Sequence, residues 1–170
     1  MKTIEKEKRE IIIRPIEAKD NRKIQIIIQK SLEAVGLNQP GTAYFDPQLG
    51  TLFEFYQAEP KGEYWVAVDI KSDEVIGGIG IGPFGDYKTI AEIQKYYLKE
   101  DYQNLGIGRL LFKEALSFTK KMAYESIYLE TMDRLSKANQ IYEHYGFELL
   151  DAPLNGSEHG LMNRWYMKKF

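Results

Sequence analysis

The sequence predicts a single α/β domain built on a mixed sheet with helices on both faces. Three observations lead there. Short runs rich in β-branched and aromatic residues alternate with longer segments whose apolar positions recur every three or four residues. The order of these segments reads β-α-α-β-β-β-α-β-α-β-β, which calls for helices layered against a sheet. The chain has 170 residues, 44% hydrophobic and 28% charged, which suits one ordinary globular core.

Residues 1–10 are dense in Lys, Glu and Arg and read as a solvated lead-in, leaving 11–170 as the domain. Ile11–Arg14 is a first strand, closed by Pro15. Residues Ala18–Val35 place Ile24, Ile27, Ile28, Leu32 and Val35 on one helical face, with Asp20 or Asn21 near the start and Gly36 at the end. Asn38–Asp46 is a loop, and Pro47 reads as an early position of a second helix running through Leu49, Leu52, Phe53 and Tyr56. Glu63–Asp69 and Val75–Ile81 are strands joined by a turn at Lys71-Ser72-Asp73. Ile90–Leu98 is a strand, and Ile107, Leu110, Leu111, Ala115, Phe118 and Met122 mark the apolar face of the helix after it. Ser126–Thr131 is a strand, Ser136–Tyr145 a helix ended by Gly146, and Phe147–Leu150 and Leu161–Lys168 are the last strands.

Composition excludes several chemistries. With no cysteine there is no disulfide, no thiolate metal ligand and no cysteine nucleophile. Two histidines, His144 and His159, make a histidine-rich metal site an unsuitable expectation, and no metal is expected. The net charge of −2 and scattered basic residues give no nucleic-acid footprint. The aliphatic run Ile11-Ile12-Ile13 is far shorter than the ~20 residues a membrane span needs, so a cytoplasmic protein without a membrane partner is expected.

The stretch around which the chain is organised is Ala91–Leu111, AEIQKYYLKEDYQNLGIGRLL. It joins a strand to a helix through Gln103-Asn104-Leu105-Gly106-Ile107-Gly108-Arg109. Glycines at a helix start let a ligand approach the backbone, and the first-turn amides lack intrahelical partners. With the helix dipole, that arrangement binds phosphate oxygens. The spacing is not that of a Walker loop. A literal G-x-G-x-x-G spans Gly80–Gly85, but Pro83 and Asp86 lie where a dinucleotide fingerprint must open a helix, so it is read as a hairpin turn.

Gln103-x-x-Gly106-x-Gly108 after a strand, followed downstream by Tyr142-Glu143-His144-Tyr145-Gly146-Phe147, resembles the two signatures of the GNAT superfamily of N-acetyltransferases. The resemblance covers most of residues 11–168. It implies the GNAT fold, a mixed, mostly antiparallel sheet whose fourth and fifth strands splay to admit the coenzyme arm. It implies acetyl-coenzyme A as cosubstrate, with amides from Asn104 to Arg109 (Asn104, Leu105, Gly106, Ile107, Gly108, Arg109) meeting the pyrophosphate beside Gln103. The strand backbone at Tyr96, Tyr97 and Leu98 would pair with the pantetheine amides, a bulge exposing those groups, and an N–H near Leu98 would face the oxyanion. The family often has Asn seven residues before its signature tyrosine. That place is Leu135 here, and Asn139, one helical turn later, is the candidate to replace it.

Acetyl transfer to an amine requires a proton acceptor, because an alkyl ammonium with pKa near ~10.4 is scarcely nucleophilic at neutral pH. Glu92 has the Ala-Glu-Ile context and the offset to the loop that the resemblance associates with the base of histone acetyltransferases. Glu130, in Tyr128-Leu129-Glu130-Thr131, resembles the position of the base in protein N-terminal alanine acetyltransferases. Either needs a raised pKa or a water relay; otherwise each is a groove-lining or ion-paired carboxylate. Tyr142 resembles the tyrosine that protonates the departing thiolate, against the alternative of a core aromatic among twelve tyrosines. The acceptor, a small-molecule amine or a protein amino group, would be bounded by Tyr44, Phe45, Phe55 and Tyr56 and by the 151–160 loop with His159. A non-catalytic acyl-coenzyme A sensor would keep the loop without needing Tyr142 and a carboxylate. Homodimers are common in such folds and one is left open.

Overall fold

In chain order the computed structural model, which describes residues 9–170, contains β1 (Ile11–Pro15), α1 (Asn21–Ala34), α2 (Leu52–Gln57), β2 (Glu63–Asp69), β3 (Glu74–Pro83) and β4 (Ile90–Leu98). There follow α3 (Ile107–Lys121), β5 (Ser126–Thr131), α4 (Ser136–His144), β6 (Glu148–Leu150) and β7 (Arg164–Lys169). The strands form one sheet in the order β1-β2-β3-β4-β5-β7-β6. Among the described residues only β4 and β5 are parallel neighbours. The expected element order and mixed sheet are both present. The charged lead-in expected over residues 1–10 lies outside the described residues except for Arg9, which sits over the Tyr102 ring, and Glu10, whose carbonyl accepts from the Ile70 N–H.

β2 shows how the sheet is buried on both sides. Tyr64, Val66 and Val68 point to one face and pack with Ile24, Ile28, Leu32 and Leu52 of α1 and α2. Trp65 and Ala67 point to the other and pack with Leu111, Phe112 and Ala115 of α3. A strand covered on both faces has no polar alternation, and β2 accordingly reads as an almost unbroken apolar run.

Three elements differ from expectation. The second helix starts at Leu52 rather than near Pro47, because the Asn21 side chain caps it by accepting from the Phe53 N–H at 2.9 Å. β7 starts at Arg164, after a turn at Leu161, rather than at Leu161 itself. On α3, Leu110 is exposed while Phe112 and Thr119 are buried, the Thr119 hydroxyl donating to the Ala115 carbonyl at 2.7 Å.

β4 carries the feature that shapes the site. Gly78 pairs with Tyr97, but Gly80 pairs with Gln94, so β4 holds one extra residue opposite Ile79. Lys95 absorbs it with φ of 48°. Ala91 and Ile93 face α3, and Glu92 and Gln94 face α2. After the bulge Tyr96 and Leu98 again face α3 and Tyr97 the other side. Lys95 is thereby turned to the α2 side, where it meets Asp46 instead of entering the core. The Tyr64 hydroxyl donates to the Lys95 carbonyl at 2.8 Å and so satisfies a group the ladder cannot. Tyr64 reaches it by crossing the glycines of β3. β4 and β5 then pair only at Ile90–Ser126, Ala91–Ile127 and Glu92–Tyr128 before they separate.

A Cβ on Gly78 would lie 2.5 Å from the Tyr64 ring and 2.8 Å from the Trp65 carbonyl. Gly78→Ala should therefore destabilise the fold by roughly 1–3 kcal/mol in urea unfolding, as overpacking does. Wild-type stability in that variant would contradict the role given to the glycine gap.

Candidate active site

Where β4 and β5 part, a continuous cleft of about 2010 Å³ passes through the sheet. Ordinary small-molecule pockets are roughly 300–1,000 Å³, so this one suits an extended ligand and a second molecule. Glu92, Tyr96, Tyr97 and Leu98 line it from β4, Glu130 from β5 and Tyr142 from α4. Beyond Glu92 the β5-facing edge of β4 has no strand partner, so its backbone groups are open to a ligand, as at a sheet edge that captures a peptide.

Glu92 is the last β4 residue paired with β5. Burial pushes its carboxyl up to about 7. The nearby Glu130 charge adds to this, while the hydrogen bond from Gln94 and the charges of His159 and Lys95 oppose it. A carboxylate that titrates near neutrality is matched to proton abstraction. Glu130 accepts a 2.8 Å bond from the Tyr128 hydroxyl. The Tyr142 ring is in the core, with centroids of Phe112, Tyr166 and Phe147 at 5.8, 5.7 and 6.1 Å. Burial raises its phenol well above 10, with the neighbouring tyrosines adding to the shift, so it stands protonated as a donor. Tyr142 is thus both a core aromatic and a cleft residue.

The loop before α3 is built for its amides. Asn104 and Gly106 have φ of 63° and 81°. No side chain caps the helix, whose N-cap is Gly106. Only at Leu110 does an N–H reach back, to the Gly106 carbonyl at 3.3 Å. The amides of the first turn are therefore left to a ligand. The two glycines serve different ends. Gly106 needs its left-handed φ and has nothing within 4 Å of a built Cβ, whereas a Cβ on Gly108 would lie 2.8 Å from the Tyr96 hydroxyl. That hydroxyl donates to the Gly108 carbonyl and ties β4 to α3. Gln103 donates to the Leu98 carbonyl at 3.2 Å and accepts from Lys137 at 3.3 Å.

On the other side of the sheet Asp46 joins three segments. It accepts from Lys95 at 2.8 Å and meets His159 Nε2 at 2.9 Å. Burial alone would raise the Asp46 carboxyl, but the His159 hydrogen bond and the Lys95 charge outweigh it and hold the group below the usual range. The same bond raises His159.

Comparison with known proteins decides the family. The model of the acetyltransferase (GNAT) family matches residues 32–147. The uncharacterized N-acetyltransferase YjgM of Escherichia coli (strain K12) is 33% identical over 150 residues, covering 87% of this chain and 88% of its own. This chain belongs to the GNAT family. Solved GNAT structures share its fold. An acetyltransferase from Staphylococcus aureus Mu50 superposes with a TM-score of 0.79 at 24% identity, over 94% of this chain and 99% of that one. A phosphinothricin acetyltransferase from Sinorhizobium meliloti in complex with AcCoA gives 0.72 at 20%, over 94% and 88%.

As a GNAT protein it is an acyltransferase, and no helix among the described residues is long and apolar enough to cross a membrane. Of the residues singled out from sequence, Glu92, Glu130, Tyr142, Tyr96, Tyr97, Leu98, Gln103, Asn104, Gly106, Gly108 and Arg109 line the one cleft. Leu105 is exposed beside it, and the Ile107 side chain is in the core. Asn139 departs from the expected coenzyme contact: it is buried behind the α4 residues that line the cleft, its amide donating to the Met132 carbonyl at 2.9 Å. A spacing of four along the helix does not put it beside Leu135 in the cleft, because the Met132 carbonyl pulls the amide inward. Of the residues expected to bound the acceptor, Phe55 and His159 line the cleft. Tyr44, which bonds Glu33, and Phe45, which packs edge-on against it, do not. Sequence reasoning missed Lys137, Arg134, Asp46 and Lys95, which also line it; Lys95 was hidden because strand alternation places it in the core.

The raised Glu92 carboxyl makes its own contribution to the pH dependence of stability. Between 4.5, its ordinary value, and about 7 the unfolded chain has released a proton that the native protein keeps. The native state then binds more protons, so stability falls as pH rises through that window. Glu92→Gln removes the cost. Urea unfolding of this GNAT enzyme should show the variant gaining on wild type from pH 4.5 to 7, by on the order of 3 kcal/mol, with a constant gain above. A pH-independent difference would mean that Glu92 titrates normally.

Proposed function

We propose that this protein moves the acetyl group of acetyl-coenzyme A to a primary amine, of a small molecule or a protein, by direct attack in a ternary complex. The observation that carries this reading is the continuous cleft through the sheet. It exposes the uncapped α3 amides and the free β4 edge on one side and a carboxyl tuned to near neutrality on the other, with a protonated phenol lining it. That the Sinorhizobium neighbour was solved with AcCoA supports the choice of donor.

The amides from Gly106 to Arg109 hold the pyrophosphate, with Arg109, Arg134 and Lys137 supplying positive charge along the cleft. The β4 edge from Tyr96 to Leu98 pairs with the amides of the pantetheine arm and aims an N–H at the carbonyl oxygen as it gains charge. Glu92 takes the proton of the incoming amine as its nitrogen bonds to the carbonyl carbon. Tyr142 gives its proton to the sulfur as the carbon–sulfur bond breaks and takes one back from solvent, so amide and free thiol leave and the proton on Glu92 passes to solvent. Glu130 stands beside Glu92 as its rival for the base. The chain has no cysteine for a thioester intermediate, in keeping with direct transfer.

A panel of amines with acetyl-coenzyme A and mass-spectrometric detection tests the reaction, and Tyr142→Phe tests the mechanism with whichever amine is acetylated. Loss of one hydroxyl keeps the ring packing. Turnover should fall by roughly 10²–10⁴ while coenzyme affinity, measured by calorimetry, stays near wild type. A folded Tyr142→Phe protein with full turnover would remove the phenol from the mechanism.

A further inference from the structure

The Gly80-Ile81-Gly82 segment, part of the G-x-G-x-x-G run that is not a nucleotide site, is the floor of a small polar assembly. Gln94 lies two residues from Glu92 on the same side of β4, and its Nε2 donates to Glu92 Oε1 at 2.8 Å. The Tyr56 hydroxyl of α2 donates to Gln94 Oε1 at 2.6 Å. Tyr56 is buried, and its ring is wedged between Phe55 and Tyr64, with centroids at 5.0 and 5.4 Å. A Cβ on Gly80 would lie 2.4 Å from the Tyr56 hydroxyl, and one on Gly82 would lie 3.1 Å from Gln94 Oε1. A side chain at Gly80 would push the phenol out of position, and one at Gly82 would crowd the amide.

We propose that Tyr56 and Gln94, seated on Gly80 and Gly82, are positioning residues that hold one oxygen of Glu92 and leave the other to take the proton of the acceptor. The inference rests on Glu92 being the base. The direction of the chain follows from what each group can do. A phenol has one proton to give, and with the amide oxygen as its acceptor the amide nitrogen must face Glu92. The reversed amide would set two acceptor oxygens against each other and leave the buried Tyr56 proton without a partner. The assembly therefore holds Glu92 Oε1 as an acceptor and favours the ionised form, to which the amide bonds more strongly.

Charged and titratable groups reach Glu92 from every neighbouring element. Glu130 and Tyr128 face it from β5, Lys95 from β4 and His159 from the β6–β7 loop, and Asp46 acts on Tyr56 from the α1–α2 connection. Glu130 opposes ionisation; Lys95, His159 and the Gln94 amide favour it. Among these, only the Gln94 amide is hydrogen-bonded to the Glu92 carboxylate.

The test is a carboxyl titration by ¹³C NMR on protein labelled at glutamate Cδ, with the Glu92 signal identified by its loss in Glu92→Gln. No acceptor is needed. Wild type should titrate with a midpoint near about 7. Gln94→Met keeps the volume but removes the donor, and should raise the midpoint by roughly one pH unit. Tyr56→Phe frees the amide to turn and should raise it by less, in the same direction. A residue that only packed would leave the midpoint where it was. Folded variants that both titrate as wild type would overturn the proposal, and if Gln94→Met fails to fold, Tyr56→Phe decides alone. Should the midpoints move while Glu92→Gln retains full turnover with an acetylated amine, the positioning stands and the assignment of Glu92 as base falls.

Discussion

The extra residue in β4 is the constraint on which the site depends. A regular strand would carry Lys95 into the core and Tyr96 out of it. With Lys95 in a left-handed conformation, the alternation is reset. Lys95 instead meets Asp46, and Tyr96 reaches Gly108 at the start of α3. The bulge persists because its surroundings over-determine it. Tyr64 holds the Lys95 carbonyl, and it can do so only across a β3 strand stripped to glycine at positions 78 and 80. A non-glycine residue in that conformation costs of order 1–3 kcal/mol, which the Asp46 pair and the Tyr64 bond offset. The parting of β4 from β5 then leaves backbone groups unpaired where a ligand can use them.

The same glycine-rich strand links architecture to chemistry. Tyr64 supports the bulge and Tyr56 supports Gln94, and both lie over gaps in β3. Glycine in a strand interior weakens the strand, so a run of them is costly unless something packs into the space. Here two tyrosines do. The carboxyl at the end of this chain is held where ionisation is disfavoured, so a group that destabilises the fold near neutral pH is the one suited to take a proton there.

How far the sequence could be read depended on how local each signal was. The strands, the α3 glycines and the order of elements rest on neighbouring residues, and they were legible. So were Glu92, Glu130 and Tyr142 as cleft residues, through a resemblance in motif. The start of α2 was not, because its cap is Asn21, some thirty residues earlier in the chain. The direction of Asn139 was not legible, because it is set by the Met132 carbonyl rather than by helical spacing. The Asp46–Lys95–His159 cluster joins residues from three segments and depends on a bulge that period-2 reading cannot contain. The Gly80–Gly85 run could be rejected as a nucleotide site from its flanking residues. Its use as a seat for Tyr56 and Gln94 needed the distances.

The central claim is that the split produced by the β4 bulge is where acetyl transfer takes place. A crystal structure with acetyl-coenzyme A bound addresses it most directly. The account predicts the pyrophosphate on the amides from Gly106 to Arg109, the pantetheine arm along β4 from Tyr96 to Leu98, and the thioester sulfur about 3–3.5 Å from the Tyr142 hydroxyl. A coenzyme seated outside the split, or one whose sulfur lies beyond reach of Tyr142 with its carbonyl turned from β4, would contradict it.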